Sequence, residues 1–202
     1  MKVVVVSTET FFAHEIAAVC LLFEAGLQIF HLRKPQSTIN EMRDFLRKIP
    51  AQFRGRVVLH DHFLLLNEFE LKGAHLNRRN PVETQGIAPP QHTSKSCHSL
   101  EEITNISQFN YVFLSPIFDS ISKNGYTKTF SHEALLQAKS TGIINEHVIA
   151  LGGIMPENIS HIVNYGFGGV AILGGLWADF EKTGDVQSLL KRFFLYKTQC
   201  EV

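Results

Sequence analysis

The chain carries eight short strand signals, nearly all of them apolar runs, and each closes on a clump of histidine, arginine, lysine, aspartate, serine or glycine. Val3–Val6 ends at Ser7, Gln28–Phe30 at His31-Leu32-Arg33-Lys34, and Val57–Leu59 at His60-Asp61-His62. Ala74-His75-Leu76 meets Asn77-Arg78-Arg79-Asn80, and Ser94–His98 and Tyr111–Leu114 follow, the latter before Ser115-Pro116. Val148–Leu151 precedes Gly152-Gly153, and Gly169–Leu173 precedes Gly174-Gly175. Runs this short and this apolar read as buried parallel strands. Placing the reactive side chains at the C-terminal end of every strand is the layout of a (β/α)8 barrel, whose active site occupies that face. The expected fold class is therefore α/β: one compact (β/α)8 TIM barrel forming a single domain over residues 1–202. At 202 residues the chain is short for a fold that usually takes about 250, so trimmed helices and loops are expected.

Helical spacing fills the gaps between strands. Phe12–Ala25 stops at Gly26, a natural C-terminal cap. A second helix starts at Ser37 or Thr38 and runs to Ile49, with Glu41 completing a capping box. A third covers Phe63–Leu71, while Pro81–Gln91, rich in proline, predicts a loop in place of the fourth. Ser99-Leu100-Glu101-Glu102 opens a fifth, Ser131–Ser140 gives the sixth, and Pro156 begins a seventh ending near Gly166. A short helix starts near Gly174, and Asp185–Tyr196 closes the barrel.

Basic and acidic residues balance at 19 each, so no global field draws the chain to nucleic acid or an anionic membrane. The three cysteines, Cys20, Cys97 and Cys200, show no metal-ligand spacing and fit reduced thiols better than a disulfide framework. Cys20 is expected in the core and Cys200 in the tail. The first apolar run is too short for a secretion signal, and no stretch approaches the roughly 20 residues of a membrane helix. A soluble, cytoplasmic protein is expected, with homo-oligomerisation left open.

Gly152-Gly153 and Gly174-Gly175, at the ends of the seventh and eighth strands, let backbone N–H groups approach an anion closely. Phosphate sites in such barrels are often built from these two loops.

With those features in place the chain resembles the thiamine phosphate synthases and their relatives, the thiazole tautomerases. The resemblance rests on His31-Leu-Arg-Lys34, His60-Asp61, Gly73-Ala-His-Leu76, Ser96-Cys-His-Ser-Leu-Glu-Glu102, Tyr111–Phe118 with Lys123, and Ala150-Leu-Gly-Gly-Ile154. It implies transfer of a pyrimidine methyl group from its diphosphate to thiazole phosphate, releasing pyrophosphate. The implied partners are small phosphorylated substrates, and the implied cofactor is Mg²⁺. On this resemblance Arg33 and Lys34 hold the diphosphate, and Asp61 is the first metal carboxylate. His60, His75 and Lys123 complete the catalytic set. Substrate contacts fall to His31, Ser96, His98, Ser120, Ser122, Gly152, Gly153, Gly174 and Gly175.

The chain departs from the synthase pattern at several of these positions. Arg33 and Lys34 touch where the family separates its two basic residues by one, and alternate strand residues face opposite ways. His31 stands for a glutamine, His60 for an asparagine, and Gly174 for a serine. Asn80 stands where the second metal carboxylate belongs, which removes a charge from a hard-cation site. Ser120 and Ser122 replace threonines. A tautomerase using His31, His60, His75 and His98 for proton transfer is the alternative, although Ser115-Pro116 replaces the histidine those relatives carry there. A phosphometabolite-binding barrel without turnover is a third reading.

Overall fold

The structure, a computed structural model, describes residues 1–80, 90–119 and 130–201. Eight parallel strands close on themselves in sequence order. They are β1 (Lys2–Val6), β2 (Ile29–Leu32), β3 (Val57–Leu59), β4 (Gly73–Leu76), β5 (Thr93–Cys97), β6 (Tyr111–Leu114), β7 (Val148–Leu151) and β8 (Gly169–Ile172). Closure comes from the pairing of β1 with β8, where Val3 lies beside Val170. Every strand lies on one of the eight strand signals, including the polar β5.

Helical elements occupy the connections unevenly. The α-helices are α1 (Glu15–Glu24), α2 (Ile39–Lys48), α3 (Ala51–Arg54), α4 (His132–Ser140), α5 (Ile159–Asn164), α6 (Gly174–Thr183) and α7 (Val186–Cys200). The Thr38–Glu41 capping box forms, and Ser131 and Asp185 cap α4 and α7. The expected third and fifth helices shrink to single 3₁₀ turns, Phe63–Asn67 and Glu101–Ile103. Each buries only one or two side chains, too small an apolar stripe to sustain a longer helix. Among the described residues no helix is long and apolar enough to cross a membrane.

Alternation along each strand divides the core in two. Phe30, Leu32, Val57, Leu59, Val112 and Leu114 point outward to meet the helices. Val4, Val6, Ile29, Val58, Phe113, Ile149 and Ala171 point inward and pack the barrel interior. Cys200, expected in a tail, is instead buried at the end of α7, where its carbonyl accepts a 2.6 Å hydrogen bond from the Met1 amine. Cys20 is only half-buried, and all three thiols are free.

Two clasps hold the mouth. The Trp177 indole N–H donates to the Val6 carbonyl at 2.8 Å and ties α6 to β1. The second is a buried ion pair of Lys34, which the family resemblance places on the diphosphate. Lys34 does not reach into the mouth: its ammonium donates to both Glu15 carboxylate oxygens at 2.7 and 2.9 Å and to the Thr10 carbonyl at 2.7 Å. The side chains are 0% and 1% exposed, and the Phe11 ring closes over the ammonium at 4.9 Å. Because Arg33 and Lys34 are adjacent on an extended chain, only one can face the mouth, and Lys34 faces α1. Burial is the largest influence on both partners, lifting Glu15 to about 6 and lowering Lys34, while their mutual attraction works against it.

A buried pair of this kind is costly to break and cheap to replace. Lys34→Met should destabilise the fold by about 3–5 kcal/mol, because it strands the Glu15 carboxylate. Adding Glu15→Leu should recover most of that loss in thermal or urea unfolding. A double variant no more stable than Lys34→Met would contradict the assignment.

Candidate active site

Register brings inward-facing polar residues of β2, β4, β5 and β6 into one layer across the barrel. His31 pairs with Val58, His75 with Ser94, and Ser94 with Tyr111. His60, one residue past β3, stacks on His75 with ring centroids 4.1 Å apart and planes inclined by 19°. His31 meets both rings edge-on at 5.0 Å, and Phe113 closes against His31 and His75. Three of the four histidines expected to share a cavity do so. His98 lies apart, with Nδ1 3.1 Å from the Ser115 carbonyl, and serves to fix that loop.

Each of the buried rings is held by hydrogen bonds. His31 Nδ1 lies 2.8 Å from His60 Nε2, and His31 Nε2 meets the Tyr111 hydroxyl. His75 is held from both sides, Nδ1 by Ser94 Oγ and Nε2 by Ser96 Oγ, each at 2.8 Å. Burial dominates their acid–base behaviour. It holds His31 and His60 well below the ordinary imidazole range and brings His75 down to about 3, with neighbouring cationic groups adding to the effect. All three rings are therefore neutral near pH 7.

Charge sits above this layer, at the rim. Asp61 leaves β3 just before His62, whose φ of 56° is left-handed and turns the chain sharply toward the Phe63–Asn67 turn. Asp61 Oδ1 accepts from the Asn80 amide at 3.0 Å and from Arg79 at 3.2 Å. Asp61 Oδ2 is buried and has no hydrogen-bond partner among the described residues. The two expected metal ligands, Asp61 and Asn80, thus lie side by side. Asn80, however, turns its NH₂ toward the carboxylate and also donates to the His60 carbonyl at 2.8 Å. Its oxygen can meet a cation on Asp61 only after the amide rotates.

Arg33 is 21% exposed at the rim and pairs with Glu9 at 2.8 Å. Its backbone is pinned by Ser7, whose hydroxyl accepts from the Arg33 N–H at 2.8 Å and donates to the Arg33 carbonyl at 3.0 Å. Glu9, Arg79 and Tyr111 were not among the residues picked out from sequence. Arg79 stood in a visible basic clump, whereas Tyr111 read as one more aromatic in a strand.

The glycine loops meet the same end of the barrel. Gly153 has φ of +63°, and a side chain there would place Cβ 2.5 Å from the Asp119 carbonyl oxygen. Gly152 and Gly153 therefore let the loop after β7 lie directly on the loop after β6. α6 begins at Gly174 with no side-chain cap, leaving its first N–H groups for an anion. A Cβ on Gly175 would come within 2.2 Å of the Tyr196 hydroxyl. Lys123, Ser120 and Ser122 lie outside the described residues.

Comparison with known proteins agrees with this geometry. The family model described as thiamine monophosphate synthase matches residues 3–176. Among curated relatives, thiamine-phosphate synthase of Dictyoglomus thermophilum is 24% identical over 186 residues, covering 85% of this chain and 81% of that protein. The enzyme of the same name from Nitrosococcus oceani is 25% identical over 177 residues, covering 79% of this chain and 76% of the relative. Thiamine phosphate pyrophosphorylase from Bacteroides thetaiotaomicron superimposes with a TM-score of 0.89 at 40% identity, covering 100% of this chain and 98% of its own. The corresponding Pyrococcus furiosus structure, at 18% identity and a TM-score of 0.76, shares the fold over 99% of this chain and 95% of that one. The chain belongs to the thiamine monophosphate synthase family.

Proposed function

We propose that this chain is a thiamine phosphate synthase. It breaks the carbon–oxygen bond between a pyrimidine methyl group and its diphosphate, and forms a carbon–nitrogen bond to the ring nitrogen of thiazole phosphate. Pyrophosphate leaves with the electron pair of the broken bond. The observation that carries this reading is the buried, unpaired oxygen of Asp61 at the barrel mouth, beside Arg79, in a chain of this family.

The leaving diphosphate needs positive charge that is already oriented when the bond breaks. Arg33 supplies it by exchanging Glu9 for the diphosphate, whose oxygens can engage the guanidinium fork. Arg79, beside the Asp61 carboxylate, adds a second guanidinium. A carboxylate oxygen sealed from water without a partner is costly, and a divalent cation relieves it. Asp61 fits as the protein ligand to Mg²⁺, with Asn80 beside it. When bound, Mg²⁺ neutralises the diphosphate and makes it a better leaving group. With a single carboxylate from the protein, most of the cation's ligands come from water and substrate. The open N-terminus of α6 at Gly174 and Gly175, with Gly152 and Gly153 beside the neighbouring loop, receives the thiazole phosphate. The neutral imidazole layer forms the floor on which the rings rest.

Mixing the protein with pyrimidine methyl diphosphate, thiazole phosphate and Mg²⁺ should yield thiamine phosphate, and EDTA should abolish it. Asp61→Ala should lower kcat/KM by at least about 100-fold, the loss of one preorganised charge. Asn80→Asp should lower the half-saturating Mg²⁺ concentration by on the order of tenfold, since it restores a carboxylate. Turnover that survives both EDTA and Asp61→Ala would sink the proposal.

A further inference from the structure

The nitrogens of His31, His60 and His75 lie within 4.8 Å of one another, a spacing that suggests a metal site. The ring orientations argue against it. An imidazole binds a metal in its own plane, along the nitrogen lone pair. His60 and His75 are stacked almost parallel, so an ion between their nitrogens would sit above both planes and in neither. Both nitrogens of His31 and both of His75 are already taken by neighbours. The cationic surroundings, with Arg33 and Arg79 both acting on His60, disfavour a further positive charge.

A different consequence follows from the same contacts. A neutral imidazole has one N–H and one lone pair, so a ring with two partners must donate to one and accept from the other. At His31 Nε2 the partner is the Tyr111 phenol, which is 2% exposed and which burial holds in its protonated form. A phenol is a strong donor and a weak acceptor, because its oxygen lone pair is delocalised into the ring. Tyr111 therefore donates, His31 Nε2 accepts, and the His31 proton must be on Nδ1. That proton is given to His60 Nε2 at 2.8 Å, which leaves the His60 proton on Nδ1. His60 Nδ1 is the one nitrogen of the three rings with no hydrogen-bond partner among the described residues, and His60, at 4%, carries what exposure the cluster has.

We propose that Tyr111 is a positioning residue that, through His31, fixes His60 as a hydrogen-bond donor toward the barrel mouth. His60 then recognises a lone-pair acceptor on the bound ring, and an uncharged nitrogen heteroaromatic is the ligand class that fits. A ring presenting C–H or N–H at that point leaves the donor unanswered. His75 is tied to the column only through Ser94, which also hydrogen-bonds the Tyr111 phenol, and its other partner, the Ser96 hydroxyl, rotates to suit either tautomer. The polarity of the column stands on the apo geometry alone, whereas the identity of the ring rests on the synthase reading.

Long-range proton–nitrogen correlation spectra of ¹⁵N-histidine-labelled protein read the tautomers directly. Ligand-free wild type should show His31 and His60 each as a single neutral tautomer protonated at Nδ1. In Tyr111→Phe both should become mixtures of the two tautomers. Ser96→Ala should alter His75 and leave His31 and His60 unchanged. Either ring protonated at Nε2 in wild type overturns the proposal, and this needs no variant to fold. So does a Tyr111→Phe spectrum unchanged from wild type, or a zinc titration that shifts all three rings together. Pyrimidine methyl diphosphate and its two analogues with one ring nitrogen replaced by C–H then test the ligand. One analogue should bind wild type roughly tenfold more weakly than the parent, the cost of one unanswered donor, and Tyr111→Phe should narrow that gap. Equal binding of all three overturns the ligand assignment. If the parent diphosphate fails to bind while the tautomers are as described, the synthase reading fails and the column stands.

Discussion

The hydrogen bond between His31 Nδ1 and His60 Nε2 joins two imidazoles in a space that barrels of this kind usually fill with branched aliphatic side chains. The lower part of the interior keeps to that habit, with Val4, Ile29, Val58 and Ile149 packed together. One layer higher, polarity takes over in His31, His60, His75, Ser94 and Ser96. A polar group in such a place costs several kcal/mol unless it is hydrogen-bonded. The layer is tolerable because its members satisfy one another, His60 Nδ1 alone excepted among the described residues, and because none of the imidazoles is charged. Neutrality is thus a condition of the fold at this level as well as a property of the site.

The arrangement separates two kinds of work. The rim holds the charges, Arg33 with Glu9 and Arg79 with Asp61, where water and substrate can screen or replace them. The throat holds dipoles without net charge. Arginines at the rim help keep the imidazoles neutral, since their field opposes any proton added below. In turn the neutral floor does not compete with the rim arginines for an anion. Beneath both, the Lys34–Glu15 pair fastens the segment that carries Thr8, Glu9 and Thr10 and so fixes where Arg33 finds its partner.

The sequence made the barrel plain because strand and chemistry coincide in it: each apolar run stops where the mouth begins. His60, Asp61, His75 and Asn80 were legible for that reason, as residues at strand ends. Lys34 was misplaced because its partner, Glu15, opens a helix in a different segment, and only the fold brings them together. The adjacency of Arg33 and Lys34 already implied that one must face away, without saying which. Tyr111 was invisible as a polar residue, since an aromatic at the start of a strand reads as packing. What gives its hydroxyl a role is the alignment of β5 and β6 with β2 across the barrel, and no local pattern encodes that. The shortened third and fifth helices were overlooked because capping signals mark where a helix can start, while its length depends on how much apolar surface it can bury.

The neutrality of the folded histidines shows in the number of protons the chain takes up on unfolding. A buried imidazole whose folded pKa is depressed refuses a proton that the unfolded chain accepts, so stability is lost as pH falls below about 6.5. His92, lowered to about 4, behaves in the same direction as the three rings of the layer. Glu15 opposes them, since a carboxyl raised to about 6 binds its proton first in the folded state. Unfolding free energies measured by urea denaturation between pH 7 and 5 should decline as pH falls, with a slope near pH 5.5 equivalent to uptake of about three protons, or about 4 kcal/mol per pH unit. A flat profile over that range would mean that the rings are charged or solvated in the folded protein, and the account of the barrel throat would be wrong.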